Sequence, residues 1–204
     1  MNSRFLIEFE KLNTTCNSIY DFEEFDVLII LNDGTNLTSW NDVENKNEII
    51  YVSEDLSKFT DLSYKYADLT NLKAIVADVT DKVIDMNSMF YFCKSLKDIS
   101  FLNNWDVSNV KNMEYMFSNC VSLADLCPLK DWDVSKVISM ECMFENCKSL
   151  KDISPLSDWN VSNVNVNYTV GMFDGCGYDL DLSIFKEWDM EMLTDRNWAF
   201  TGWR

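Results

Sequence analysis

The sequence predicts an α/β solenoid of about five strand-helix coils, preceded by a mostly-β capping segment. The first observation is an internal repeat, because residues 105–123 return closely 27 residues later as residues 132–150. A fixed period of roughly 20–50 residues is typical of stacked coils that bury their apolar faces on their neighbours. The second observation is composition, since 47% hydrophobic and 14% aromatic residues exclude a disordered chain.

Residues 1–67 lack the repeat and are predicted to cap the first coil, whose open end would expose an apolar cross-section. Short apolar runs and an Asp-Gly pair, which favours a hairpin turn, predict three strands. These strands cover residues 26–31, 35–40 and 48–53. Residues 4–12 fit either a helix or a strand, and residues 54–66 are expected to be irregular or helical.

The repeats are predicted to form one domain over residues 68–204. Its coils cover residues 68–94, 95–121, 122–148, 149–177 and 178–204. The fourth coil carries an insertion at residues 165–169, and the degenerate fifth coil is expected to close the apolar stack as a C-terminal cap.

Two periods alternate within one coil. Leu96, Ile99 and Leu102 have the spacing of a leucine-rich strand and its turn. Apolar residues over 107–117 recur every three to four positions, as on one face of a helix, and Ser108 is placed to cap that helix. Each coil is therefore predicted to be strand, turn, helix and turn, with the strands stacked about 4.8 Å apart in a parallel sheet.

Charge and composition limit the partners and the location. A formal charge of −17 argues against binding to nucleic acid or to anionic membranes, which require lysine and arginine. There is no apolar run of roughly 18 residues to insert in a membrane, and MNSRFLIEFEKL lacks the features of a signal peptide. We expect an intracellular (cytoplasmic) or virion-associated protein, and a surface location only if a signal peptide has been removed.

Catalytic and metal chemistry find little support in the residue types. Histidine is absent, which removes Ser-His and Cys-His nucleophiles and most transition-metal sites, so we predict no enzyme and no cofactor. Seven cysteines without a C-x-x-C pair fit free thiols in a reducing compartment. One coil position carries Cys93, Cys120, Cys147 and Cys176. These are predicted to be buried thiols, with disulfides between adjacent coils as the alternative.

Two aspartate ladders and one tryptophan ladder follow the repeat. The aspartate ladders are Asp98, Asp125 and Asp152, and Asp106, Asp133, Asn160 and Asp189. Local capping of turns is the prediction for both, and calcium bound between coils is the alternative. The tryptophans are Trp105, Trp132, Trp159 and Trp188. They are predicted to pack in the core, with an exposed platform for sugars or a partner's side chains as the alternative.

The coil motif also carries a family resemblance. Trp-Asp-Val-Ser-Asn-Val, followed by Met-x-x-Met-Phe-x-x-Cys-x-Ser-Leu, resembles the repeat of the BspA-like leucine-rich repeat proteins of bacteria, protists and large DNA viruses. The match covers about two thirds of the chain. It implies a leucine-rich-repeat-like solenoid used for adhesion or protein binding, with no catalytic residues to carry over.

These observations predict a non-enzymatic module that binds a protein through an elongated solenoid face. The expected contact surface is the solvent side of the parallel sheet. It comprises Lys97, Ser100, Asn103, Lys130, Lys151, Ser154 and Ser157, with Ala124 and Cys127 at equivalent positions. The alternatives are a structural component of a virion or surface layer, which would associate with copies of itself, and a glycan-binding adhesin that uses the tryptophan ladder.

Overall fold

The structure is a computed structural model that describes residues 27–79, 81–164, 170–177 and 180. Its N-terminal part is a four-stranded mixed sheet with the order β2-β1-β3-β4. The strands are β1 (Val27–Leu31), β2 (Asn36–Leu37), β3 (Ile49–Glu54) and β4 (Ala74–Val76). Strand β1 is antiparallel to β2 and β3, whereas β3 and β4 are parallel.

The first hairpin forms at the Asp-Gly pair, as the sequence predicts. Gly34 has a φ of +87°, which glycine adopts without steric cost, and its N–H donates to the Leu31 carbonyl at 3.0 Å. The strands predicted over residues 26–31 and 48–53 are confirmed as β1 and β3. The hairpin therefore positions the two longest strands beside each other.

The predicted return strand over residues 35–40 is shorter than expected. Strand β2 has two residues, after which the Ser39 hydroxyl accepts the N–H of Asn41 at 3.1 Å and caps a 3₁₀-helix at Trp40–Asp42. A second 3₁₀-helix follows at Lys46–Glu48. The undecided segment at residues 4–12 lies outside the described residues.

Strand β4 joins the N-terminal sheet to the repeats. Tyr51 and Val52 of β3 pair in register with Ala74 and Ile75 of β4, so the first repeat continues the sheet. The predicted boundary between residues 67 and 68 is thus crossed by strand pairing, and one hydrophobic core extends on both sides of it. The N-terminal strands and the first repeat therefore share one sheet and one core.

The prediction of strand-helix coils, and with it the leucine-rich-repeat-like α/β solenoid of about five coils, is wrong. The described residues contain no α-helix, and their named strands are the four of the N-terminal sheet. The predicted strand at residues 96–102 gives way to a 3₁₀-helix at Ser100–Asn104. Equivalent 3₁₀-helices lie at Cys127–Leu129 and Ser154–Leu156.

Consecutive turns, and no helix, produce the apolar spacing of residues 107–117. An α-helix bonds each N–H to the carbonyl four residues earlier, but Met116 and Ser118 donate to carbonyls three residues earlier. The N–H of Tyr115 donates instead to the next repeat. Tyr115 and Asn119 have φ values of +54° and +64°, which a right-handed helix excludes. Apolar side chains point inward at the same spacing in an α-helix and in this series of turns, so the period alone does not distinguish one from the other.

Backbone hydrogen bonds join successive repeats at every second residue of these turns. The N–H groups of Tyr115, Phe117 and Asn119 donate to carbonyls of residues 141, 143 and 145 at 2.7–2.9 Å. The preceding repeat donates in the same way from Ser88 and Phe90. The repeats are therefore stacked directly on one another, as the 27-residue period predicts.

The core of the stack is a column of aromatic rings. Tyr66, Phe90, Phe117, Phe144 and Phe173 are stacked in turn, with ring centroids 5.4–5.7 Å apart. The methionine pairs of the repeats are buried around this column: Met86 and Met89, Met113 and Met116, and Met140 and Met143. The predicted insertion at residues 165–169 and nearly all of the fifth coil lie outside the described residues.

Candidate protein-binding surface

The residues predicted to contact a partner lie on one exposed side of the stack. All seven are exposed, and we call them the predicted face: Lys97, Ser100, Asn103, Lys130, Lys151, Ser154 and Ser157. Among the residues that the structure describes, no parallel sheet underlies them, which corrects the prediction that they occupy the solvent side of one. They lie on or beside the 3₁₀-helices of three successive repeats, and neighbouring 3₁₀-helices pack against each other.

An aspartate at the start of each 3₁₀-helix positions the predicted face. Asp98, Asp125 and Asp152 each accept the backbone N–H of the residue two positions later, at 2.8–2.9 Å. For Asp152, hydrogen bonds from the backbone and side chain of Ser154 lower the pKa of the carboxyl group. These bonds confirm the prediction of local capping for this ladder, because each carboxylate satisfies an otherwise free turn amide.

The second aspartate ladder caps the next turn in the same way. Asp106, Asp133 and Asn160 accept the N–H groups of the following serines at 3.0–3.2 Å. Ser108 therefore donates to a side chain, and the prediction that it caps a helix is wrong. Asp189 lies outside the described residues. Within the described ranges, no group of three or more cysteine, aspartate and glutamate residues is arranged to hold a metal ion.

The charge of the predicted face is mixed. Lys97, Lys130 and Lys151 are each followed directly by an exposed aspartate. Opposite charges at adjacent positions cancel beyond about a Debye length of 8 Å at physiological salt. Recognition by this face would therefore depend on shape and on local hydrogen bonds more than on long-range attraction.

The tryptophan ladder is part of the core. Trp105, Trp132 and Trp159 are only 3–6% exposed, and each indole N–H donates to a backbone carbonyl of the preceding repeat. The donor-acceptor distances are 2.8–3.2 Å. Trp188 lies outside the described residues. The three described indoles present no exposed ring face to a sugar, so they do not support the glycan-binding alternative.

The repeated cysteines are buried free thiols, as predicted. Cys93, Cys120, Cys147 and Cys176 each place Sγ 3.0–3.2 Å from a carbonyl of the aromatic column, to which the thiol donates. Burial raises the pKa of all four thiols, that of Cys176 to about 12. A thiolate is the reactive form of cysteine, so this ladder is chemically inert.

One side of the turns is acidic and was missed by sequence reasoning. Glu114, Glu141 and Glu145 are half-buried and accept hydrogen bonds from neutral hydroxyl and amide groups. For example, the Tyr115 hydroxyl donates to Glu141 at 3.1 Å. Residues 114–119 and 141–146 contain no lysine or arginine.

Another exposed surface, the lysine band, was also missed. It consists of residues 82–84, 109–111 and 136–138, in which the central valine is buried and the third residue is exposed. Ile84 and Ile138 are 44% and 45% exposed and share their repeat position with Lys111. The alignment of isoleucine with lysine could have revealed this, since a position that holds lysine is rarely buried.

The described ranges contain no helix with the length and apolar character needed to traverse a lipid bilayer. Comparison with protein families finds a match to a model described as "Mycoplasma protein of unknown function, DUF285". It matches residues 60–178 and, in an overlapping match, residues 127–203, which together cover more than half of the chain. Comparisons with curated proteins and with solved structures returned no match.

Proposed function

This chain belongs to the family described as Mycoplasma protein of unknown function, DUF285, and we propose that it is a non-enzymatic repeat module that binds a protein through the predicted face. The observation that carries the proposal is the alignment of exposed side chains in rows across successive repeats. Stacked repeats present an extended surface, which is how repeat proteins commonly engage partners.

The rigidity of the stack supports a binding role. Backbone hydrogen bonds and stacked rings connect the repeats, and the capping aspartates order the 3₁₀-helices beneath the predicted face. A preorganised surface loses less conformational entropy when it binds. The resemblance of the repeat to BspA-like proteins, which implies adhesion or protein binding, favours the same function.

Affinity capture from the native source, with the purified chain as bait and mass spectrometry as readout, tests this proposal. The wild type is compared with Lys97→Glu/Lys130→Glu/Lys151→Glu, in which the cations of the predicted face are reversed. A matched control, Lys46→Glu/Lys94→Glu/Lys148→Glu, makes the same change of charge at exposed positions elsewhere.

One distinct protein captured by the wild type and the control, but not by the face variant, is the expected result. Equal capture by all three baits would refute the use of the predicted face. Recovery of the bait alone, together with concentration-dependent assembly, would instead support the structural alternative.

A further inference from the structure

We propose that the lysine band is a second docking surface, separate from the predicted face, for an acidic and partly apolar extended segment of a partner protein. The band crosses three successive repeats. Its backbone forms a series of hydrogen bonds of 2.8 Å along the stack. The N–H of Ile84 donates to the Thr60 carbonyl, the N–H of Lys111 to the Ile84 carbonyl, and the N–H of Ile138 to the Lys111 carbonyl. These bonds fix the exposed side chains of Ile84, Lys111 and Ile138 in one row along the stack.

The charge of the band opposes that of the whole protein. Its nine residues include three lysines, Lys82, Lys111 and Lys136, and no acid, although the chain carries −17. Lys82 reaches the Ser57 carbonyl and Lys136 reaches the Asn109 side chain. Lys111 is exposed and makes no ion pair or hydrogen bond through its side chain within the described part of the chain.

Acidic residues lie near both ends of the band. The pKa of Asp55 is lowered mainly by hydrogen bonds from Ser57 and to a smaller extent by Lys58 and Lys82. The pKa of Asp133 is likewise lowered mainly by Ser135 and then by Lys136. In the middle of the band, Asp85 accepts a hydrogen bond from Asn112, next to Lys111, but Lys111 itself forms no ion pair in the described part of the chain, so an added carboxylate can pair with it.

Apolar contact distinguishes this surface from a simple polyanion site. The described residues have three exposed large hydrophobic side chains, and two of these, Ile84 and Ile138, flank Lys111. A ladder spacing of about 4.8 Å places them about 10 Å apart. This is about one turn, or three residues, of an extended polyproline II segment, in which every third side chain lies on the same face. A segment that runs along the stack can thus bury an apolar residue on each isoleucine and place a carboxylate near Lys111.

A second copy of the chain does not fit the band face to face. Lys111 of one copy would lie near Lys111 of the other, and like charges in contact are unfavourable. A nucleic acid would use the lysines but gain little from the isoleucines. An acidic segment with apolar side chains uses both features, which is why the complementarity favours it.

The probe for this proposal is a displayed library of random twelve-residue peptides, selected on the immobilised full chain. Enriched peptides are synthesised and their affinities are measured by fluorescence polarisation. We expect negatively charged peptides with apolar residues about three positions apart. Lys111→Glu and Ile138→Asp should each weaken binding about tenfold or more, and higher salt should weaken it further.

Matched substitutions separate this surface from the predicted face. Lys151→Glu and Ser157→Asp make equivalent changes at exposed positions of the predicted face and should leave peptide affinity unchanged. Unchanged circular dichroism and melting temperature verify that each variant is folded. Ile138 is already 45% exposed, so its replacement leaves the core intact.

Three results would overturn the proposal: enrichment of basic peptides, undiminished binding to Lys111→Glu, or no enrichment at all. Equal binding of a twenty-nucleotide single-stranded DNA to the wild type and to Ile138→Asp, at the affinity of the best peptide, would identify a polyanion site instead. The proposed function is decided separately by the capture experiment, because loss of capture there depends on the predicted face.

Discussion

Replacement of Asn119 by alanine and by glycine tests the turns that stand where a helix was predicted. Asn119 has a φ of +64°, and its side-chain amide donates to the Ser118 hydroxyl at 2.9 Å. Both variants lose this hydrogen bond. The difference between them therefore isolates the effect of the backbone conformation on the free energy of unfolding.

A left-handed turn and an α-helix at residue 119 predict opposite signs for the difference in stability between the alanine and glycine variants. At positive φ, alanine costs about 1–2 kcal/mol, whereas glycine costs about 0.5–1 kcal/mol through the greater entropy of its unfolded chain. Asn119→Gly should therefore be more stable than Asn119→Ala by about 0.5–1 kcal/mol. In a helix, glycine would instead be less stable than alanine by about 1 kcal/mol.

Urea denaturation followed by circular dichroism measures the difference. Lys130, with φ of −53° and ψ of −44°, is the control site, where glycine should be less stable than alanine by about 1 kcal/mol. If the alanine variant were more stable than the glycine variant at both Asn119 and Lys130, the assignment of left-handed turns to the repeats would be refuted.

Three further predictions follow from the repeats. Gly177→Ala should lower the unfolding free energy by about 2 kcal/mol or more, because the added Cβ would lie 2.6 Å from the Leu150 carbonyl oxygen; denaturation midpoints measure this. A thiol reagent at pH 8 should label Cys127, which is exposed, before the four buried thiols of the ladder, with peptide mass mapping as the readout. Because the pKa of Asp152 is lowered in the folded protein, its carboxylate stabilises the fold above the unfolded pKa of about 3.9, and this stabilisation is lost as the pH falls through the lower folded pKa. Denaturation midpoints measured at a series of pH values would detect the loss.

Each of these predictions has its own control. A Cβ added at Gly34 meets no atom within 4 Å, so Gly34→Ala should lose only the free energy that its positive φ costs an alanine. If Gly177→Ala lost no more unfolding free energy than Gly34→Ala, the close contact with the Leu150 carbonyl would be contradicted. Denatured protein should be labelled at every cysteine, and equally rapid labelling of Cys120 in the folded protein would disprove its burial. Asp152→Asn keeps the acceptor oxygen, as Asn160 does naturally, and should reduce the pH dependence without preventing folding.

Much of the organisation could be predicted because it depends on spacing alone. The 27-residue period predicts which side chains lie above one another, and the stacked Phe90, Phe117 and Phe144 follow that register. Burial of the cysteine and described tryptophan ladders also follows, since apolar residues at one repeat position share one environment. The Asp-Gly turn predicts the first hairpin because it imposes a local conformation.

The candidate surfaces were predicted less completely. The seven residues of the predicted face are exposed, but the reasoning that selected them assumed a sheet beneath. Ile84 and Ile138 were overlooked because hydrophobic periodicity does not distinguish an exposed isoleucine from the buried valine that precedes it. The turn directs them away from the core, and in the sequence only Lys111 at the same repeat position indicates this exposure.

The sequence by itself determined the repeat, its register, the ladders and two of the three predicted capping strands. Only the tertiary structure decided what each repeat is made of. An α-helix and a series of tight turns bury side chains at nearly the same intervals, so the hydrophobic periodicity of the sequence fits either structure. The choice depends on where the backbone N–H groups find acceptors, and in this protein alternate N–H groups find them in the neighbouring repeat. Those bonds form between residues 23–28 positions apart, which is farther along the chain than local sequence patterns extend.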